Sequence, residues 1–351
     1  MPKPKAGKMP NCGKTKPQPQ DNCEPKQTEP APEKQGPAQQ RWHQQAETAI
    51  VARYAPRFDN PSNNCWMNSI LQLIVHAIEI RGEPIQPLNV PIREHFQRYG
   101  NTIYAEILRY QPSRQYSVNS PSNSDDPPTS YKQIMLFSMG LAEQDQLHAQ
   151  HDAADCVDTL MRITSQLSFL WHTQDKIFQC ENCTVSAVYS NPEPLARVSI
   201  SKYKDNNSID AVEAIKNYFE ETQRGIDRDC PNCHGKKSTE STRLPTPSKF
   251  IIIQLLRFET INHRAQKITA ETRPFSSVEI YSAQGLCTYE VVGVVEHIGR
   301  SMNGGHYVAY VKKNNQWLRC DDERIIALNT NTNDPTRNAY LVVLQTSEVD
   351  D

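Results

Sequence analysis

At 351 residues, with 38 Lys and Arg against 40 Asp and Glu and a formal net charge of −2, the chain can bury a large core and lacks the basic excess of a nucleic-acid or membrane-surface binder. No apolar run approaches the ~20 residues of a membrane span, and the N-terminus has no apolar signal-peptide core. The ten Cys are therefore expected in a reducing intracellular compartment, cytoplasm or nucleus, where Cys pairs serve metals or catalysis more often than disulfides.

Residues 1–41 contain no Leu, Ile, Val, Phe, Tyr or Trp and hold nine of the 25 Pro. Such a segment cannot bury enough apolar surface to offset chain entropy, so a disordered Pro/Lys/Gln-rich tail is expected over residues 1–48. Cys12 and Cys23 within it read as free thiols. A folded domain is expected over residues 49–348.

The domain opens on Asn60-Pro-Ser-Asn-Asn-Cys65-Trp-Met-Asn68-Ser-Ile-Leu, where polar turn residues run straight into an apolar helical stripe with Ile70, Ile74 and Ile78 at four-residue spacing. Asn63 or Asn64 is expected to cap this helix. Cys65 then sits at its N-terminus, where unpaired N–H groups and the macrodipole favour a thiolate. Taken alone, a Cys there reads as a small core residue. Helix-like periodicity over residues 92–109, a Ser/Pro/Asn-rich loop over 111–130 and a helical stretch near Ile134–Leu141 follow. Gln150-His-Asp152-Ala-Ala-Asp155 opens a further helix, and on composition its acidic residues read as a cap and a solvated face.

Cys180-Glu-Asn-Cys183 and Cys230-Pro-Asn-Cys233 are two Cys-x-x-Cys knuckles, which together complete a tetrahedral four-thiolate zinc site. Four thiolates leave no open coordination position, so the zinc is expected to be structural. A redox dithiol or a vestigial knuckle pair is the alternative, and His234 is a weaker candidate ligand.

From residue 249 the pattern turns strand-rich. Phe250-Ile-Ile-Ile-Gln-Leu-Leu256 reads as a strand buried on both faces, and 289–296, 306–312, 316–320 and 339–345 carry further strand signals. Helices first and strands later make an α+β layout. Gly304-Gly-His306-Tyr-Val-Ala-Tyr310 leads a glycine-rich loop into a strand, and Trp317-Leu-Arg-Cys-Asp321-Asp322 lies one hairpin later. Antiparallel pairing would bring an Asp beside His306. One Cys at a helix start, one His and one Asp are the parts of a thiol hydrolase.

These residues resemble the ubiquitin-specific proteases, the papain-like cysteine deubiquitinases built of thumb, palm and fingers. The likeness is carried by the Cys65 box, Gly305-His306-Tyr307-Val-Ala-Tyr310, Trp317-x3-Asp321-Asp322, the two knuckles, Leu256-Arg257-Phe258 and Ala339-Tyr340-Leu341, and it spans about residues 54–346. It implies a helical thumb, a β-rich palm and zinc-tipped fingers over about 173–245. It also implies Cys65 as nucleophile, His306 as base, Asp321 as its orienter with Asp322 as rival, and Asn60 as an oxyanion donor. Gln150, Asp152 and Asp155 resemble the family's acidic box beside the ubiquitin tail. Ser62, Asn64, Trp66 and Asp155 depart from the family's usual Gly, Thr, Tyr and Glu. The implied function is cleavage after the C-terminal Gly of ubiquitin on ubiquitinated substrates. The alternatives are a protease for another ubiquitin-like modifier or a polyprotein, and a catalytically silent ubiquitin-binding scaffold.

Overall fold

The computed structural model describes residues 55, 57–58, 60, 63–81, 115–116, 135–136, 139–141, 146, 148–183, 185–205, 208–220, 222–227, 229–261, 264–301, 304–329 and 333–349. The expected tail and the 92–109 periodicity lie outside these residues, as do Ser62 and most of the 111–130 loop.

Helix α1, Cys65–Arg81, is the axis of the fold. Every residue from Cys65 through Ile78 is buried, polar Asn68, Ser69, Gln72 and His76 included, so the helix is enclosed on all sides. Ile70 and Ile74 are 0% and 1% exposed; truncating such a side chain to Ala typically costs ~2–5 kcal/mol. Helix α2, Ala153–Ile163, packs beside it. The Asp152 carboxylate caps α2 by accepting the Ala154 N–H at 2.7 Å.

Both helices lie on one face of an eight-stranded sheet. Its order is Arg324–Ala327, Gln316–Asp321, Gly304–Lys313, Gly285–Ser301, Ala339–Gln345, Phe250–Leu256 and Ala196–Ser199, with Ser277–Ser282 pairing Gly285–Ser301. All pairs are antiparallel except Phe250–Leu256 with Ala196–Ser199. Strand alternation divides the core. Ile252, Ala309, Val311, Leu341 and Val343 face the helices α1 and α2, whereas Ile251, Ile253, Val308, Val342 and Leu344 join a second core that includes helix α3, Ala211–Glu220. This is why the central strands read as unbroken apolar runs. At Gly293 a Cβ would lie 2.7 Å from the Leu73 side chain of α1, so the glycine lets helix and sheet close together.

The fingers are a four-stranded antiparallel sheet in the order Ser186–Glu193, His172–Cys180, Lys237–Arg243, Thr222–Asp227. They carry both knuckles, and the chain between their strands also supplies Ala196–Ser199 to the large sheet and helix α3 to the second core. The fold is α+β, with helical, sheet and fingers parts as expected. Among the described residues no helix is long and apolar enough to cross a membrane.

Candidate active site

Cys65 is the first residue of α1 and is 3% exposed. The Asn64 carbonyl accepts the N–H groups of Met67 and Asn68, both at 2.9 Å, and so starts the helix. The side-chain caps differ from expectation. Asn63 adopts φ 56° and turns its amide onto the His148 carbonyl at 2.8 Å, and the fully buried Asn64 side chain has no hydrogen-bond partner among the described residues. The acceptor at this helix start is Asn60, whose Oδ1 takes the Asn64 N–H. The path of the chain through Asn63 leaves neither neighbouring Asn in position to cap.

His306 and Asp321 come from adjacent antiparallel strands. Tyr310 pairs with Arg319, so His306, Tyr310, Arg319 and Asp321 share one sheet face by alternation. His306 Nε2 lies 2.6 Å from Asp321 Oδ1. Gly305 precedes it at φ +155°; a Cβ there would lie 2.4 Å from the Ile298 carbonyl and 2.5 Å from the His297 ring, so only glycine carries the chain into this strand. The His306 imidazole is raised to about 9, first by its hydrogen bond to the Cys65 thiol and then by the bond and charge of Asp321, against partial burial. With Nε2 committed to the carboxylate, Nδ1 is the nitrogen left to exchange a proton with the thiol. Burial would raise the Asp321 carboxyl, but His306 and Arg319 outweigh it and hold it below the usual range; Arg319 donates to Asp321 Oδ2 at 2.7 Å.

Asp322 is placed differently. It sits at φ 53°, with Oδ2 4.0 Å from His306 Nε2. Its two oxygens accept from Asn60 Nδ2 and Asn68 Nδ2, each at 2.7 Å. Burial pushes its carboxyl up, against these two bonds. Asp322 thus ties the loop before Cys65 to the first turn of α1. Asn60 holds both ends of this arrangement, since one amide N–H binds Asp322 and its Oδ1 caps the helix. The amide orientation is fixed because a carboxylate only accepts and a backbone N–H only donates.

The Asp152 carboxylate also accepts the Tyr340 hydroxyl at 2.6 and 2.7 Å, and Gln254 Nε2 donates to that hydroxyl at 2.8 Å. Asp155 is an exposed residue whose carboxyl is raised by partial burial and then by Asp152. Gln150 Nε2 is buried without a partner among the described residues. Trp66 is wholly buried, edge-on to His151 at 5.1 Å between ring centroids.

At the fingers tip, the four thiols of Cys180, Cys183, Cys230 and Cys233 all lie within 4.8 Å of one another. Sγ of Cys180 is 3.6 Å from Cys233, and Sγ of Cys183 is 3.6 Å from Cys230. A tetrahedral ion with Zn–S of ~2.3 Å sets its sulfurs about 3.8 Å apart, so the donor set fits zinc. The Asn182 N–H points at the Cys180 sulfur at 3.4 Å, as suits a thiolate. His234 is not in this cluster.

Asn68, Arg319 and Tyr340 lie inside motifs visible in the sequence, but their contacts at the site are not read from it. Asn68 lies three residues after Cys65 on the same helix face, and Arg319 two before Asp321 on the same strand face, so periodicity from the two anchor residues would have found both.

The family description "Ubiquitin carboxyl-terminal hydrolase" matches residues 57–343. "Ubiquitin carboxyl-terminal hydrolase 23" of Arabidopsis thaliana is 25% identical over 165 residues, 44% of this chain and 18% of that protein. "Ubiquitin carboxyl-terminal hydrolase 17" of Homo sapiens is 21% identical over 315 residues, 82% of this chain and 56% of that protein. The chain therefore spans from about a fifth to about half of the length of these relatives. Among solved structures, a chain of the Ubp8/Sgf11/Sus1/Sgf73 SAGA DUB module bound to monoubiquitin superposes with a TM-score of 0.62 at 17% identity, over 89% of this chain and 74% of that one, a likeness of fold. A family match across residues 57–343, on a sheet and helix that bring Cys65, His306 and Asp321 together, makes this chain a member of the ubiquitin carboxyl-terminal hydrolase family.

Proposed function

We propose that the chain is a thiol-dependent deubiquitinase that hydrolyses the isopeptide or peptide bond after the C-terminal Gly of ubiquitin. The observation that carries this reading is the line from the Cys65 thiol through His306 to Asp321. Cys65 passes its proton to His306 Nδ1 and attacks the glycine carbonyl carbon. Asp321 holds Nε2–H and stabilises the imidazolium. The imidazolium then protonates the leaving amine, and water, deprotonated by His306, hydrolyses the thioester and restores the thiol.

The oxyanion of the first step needs donors already in place. The Cys65 backbone N–H at the helix start is one. The second amide proton of Asn60, the one not given to Asp322, is the other. Asp322 acts here as the residue that aims Asn60, which gives it a role distinct from that of Asp321. The tail of ubiquitin is assigned to the side of α2 that carries Gln150, Asp152 and Asp155, where Gln150 Nε2 is a donor without a protein partner among the described residues.

The fingers would hold one structural zinc through Cys180, Cys183, Cys230 and Cys233, and bound there it cross-links the two knuckles. Four reduced thiols in this arrangement favour a reducing compartment, the cytoplasm or nucleus. Domain limits of 1–48 for the tail and 49–348 for the enzyme complete the proposal. The test is hydrolysis of fluorogenic conjugates of ubiquitin and of ubiquitin-like proteins side by side. Preference for ubiquitin, lost in Cys65→Ala, is expected. Cleavage only of another modifier would move the substrate assignment and leave the chemistry.

A further inference from the structure

Asp321 does not end the line of polar contacts. Its Oδ2 accepts from the Arg319 guanidinium at 2.7 Å. Arg319 is also hydrogen-bonded to Tyr310, its cross-strand partner. The Tyr310 hydroxyl donates its own proton to Glu296 Oε2 at 2.6 Å, and Asn338 Nδ2 donates to Glu296 Oε1 at 3.0 Å. Donor and acceptor roles are consistent throughout. The phenol proton goes to the carboxylate, which leaves the phenol oxygen free to accept from the guanidinium. Tyr310 is buried, while Glu296, Arg319 and Asn338 are half-buried. A cavity of about 370 Å³ opens beside the same four side chains. Water in that cavity would compete for the far oxygen of Asp321 if the guanidinium were free to swing away.

We infer that Tyr310 and Glu296 are positioning residues for the proposed hydrolysis: they fix the Arg319 guanidinium, which pins one oxygen of Asp321 so that the other faces His306. The inference rests on the reading of Cys65, His306 and Asp321 as the reacting line, and it extends that line by three side chains along the same face of the sheet. A carboxylate with both oxygens engaged by fixed partners cannot rotate, and the imidazole it holds keeps one orientation. Mutual support of this kind gives a network more than the sum of its pairs.

Two measurements test it. The first is kcat and KM for a fluorogenic ubiquitin conjugate. Tyr310→Phe keeps the ring packing and removes the hydroxyl; it is expected to lower kcat by about tenfold and leave KM unchanged, because the defect lies in orientation rather than in substrate binding. Arg319→Met should do at least as much. Glu296→Gln, which keeps an acceptor for the phenol, should restore most of what Glu296→Leu loses. The second is the low-field NMR resonance of the His306 Nε2 proton, which reports its bond to Asp321 without any turnover. It is expected in the parent and in Glu296→Gln, and should broaden or disappear in Tyr310→Phe and Arg319→Met while the folded methyl signals persist. A parent-like kcat and an unchanged resonance in those two variants would overturn the inference. Asp321→Ala separates this from the underlying reading: if Asp321→Ala keeps full activity, the reacting line is wrong, and the resonance alone then decides whether Tyr310 and Arg319 order His306.

Discussion

Asn60 does two jobs at once, and the choice of substitution separates them. Asn60→Ala removes the helix-start acceptor and the amide donor together. Loss of such a cap costs about 1 kcal/mol of stability, and loss of an oxyanion donor ~10²–10³ in kcat. Asn60→Asp keeps the acceptor for the Asn64 N–H but sets a carboxylate against Asp322. It should lose kcat as fully as Asn60→Ala, and a parent-like kcat in Asn60→Asp would move the donor elsewhere in the loop. The carboxylates divide in the same way. Asp321→Ala should cut kcat by orders of magnitude, while Asp322→Ala should cost activity through a loosened Asn60; the reverse order of severity in a kinetic comparison would exchange their roles. The pH profile has a defined sign. In the proposed mechanism His306 must be an imidazolium to protonate the leaving amine, and its contacts with Cys65 and Asp321 raise it to about 9. Activity should therefore persist through neutral pH and fall as pH rises through about 9. An alkaline limb near 6.5, the ordinary imidazole value, would mean that the Cys65–His306 bond is not made in solution.

Elements were more legible than their junctions. The apolar runs at Phe250–Leu256 and Ala339–Gln345 are what a strand buried on both faces must look like, and both are interior strands of the sheet. The two knuckles fixed the fingers tip because metal geometry tolerates few spacings. The cap expected of Asn63 or Asn64 is not made because Asn63 turns to the His148 carbonyl, while Asn60 takes the Asn64 N–H by a turn that local propensity does not reveal. The strand Ser277–Ser282 turns Val278 and Ile280 inward by plain alternation, a signal too short to stand out, and Arg324–Ala327 buries only Ile325, so pairing with its neighbour is what makes it a strand. The fingers should depend on their metal. Elemental analysis is expected to find about one zinc per chain, and Cys230→Ser should lose it and loosen the fingers, since metal binding and folding are one equilibrium. Metal-free protein with four freely titratable thiols would make the knuckles vestigial. At the base of the fingers, burial draws the His172 imidazole down to about 4. The unfolded chain protonates this group near 6.5 and the folded chain resists until about 4, so its contribution to stability is present above 6.5 and is lost as pH falls through that window. The loss amounts to roughly 3 kcal/mol at most. His172→Phe should flatten the fall of Tm between pH 6.5 and 4, and an unchanged slope would place the acid sensitivity elsewhere.

At the scale of the whole molecule, one buried helix presents its first residue to the mouth of a sheet whose two neighbouring strands carry His306 and Asp321, the proposed base and its partner. Residues 65, 306 and 321 are brought together by the closure of the central core, so the site exists only in the complete fold. Among Cys65, Cys156, Cys287 and Cys320, thiol reactivity should centre on that point. Burial raises the thiols of Cys156, Cys287 and Cys320, which makes them poor nucleophiles. Alkylation at neutral pH is expected at Cys65 before these three. The most direct measurement of the central claim is exposure of the purified chain to ubiquitin carrying a C-terminal vinyl sulfone, followed by intact mass and peptide mapping. The account predicts a single adduct of one ubiquitin on Cys65, abolished in Cys65→Ala and strongly slowed in His306→Ala. Absence of any adduct on a folded, zinc-loaded chain, or an adduct on another Cys that persists in Cys65→Ala, would contradict it.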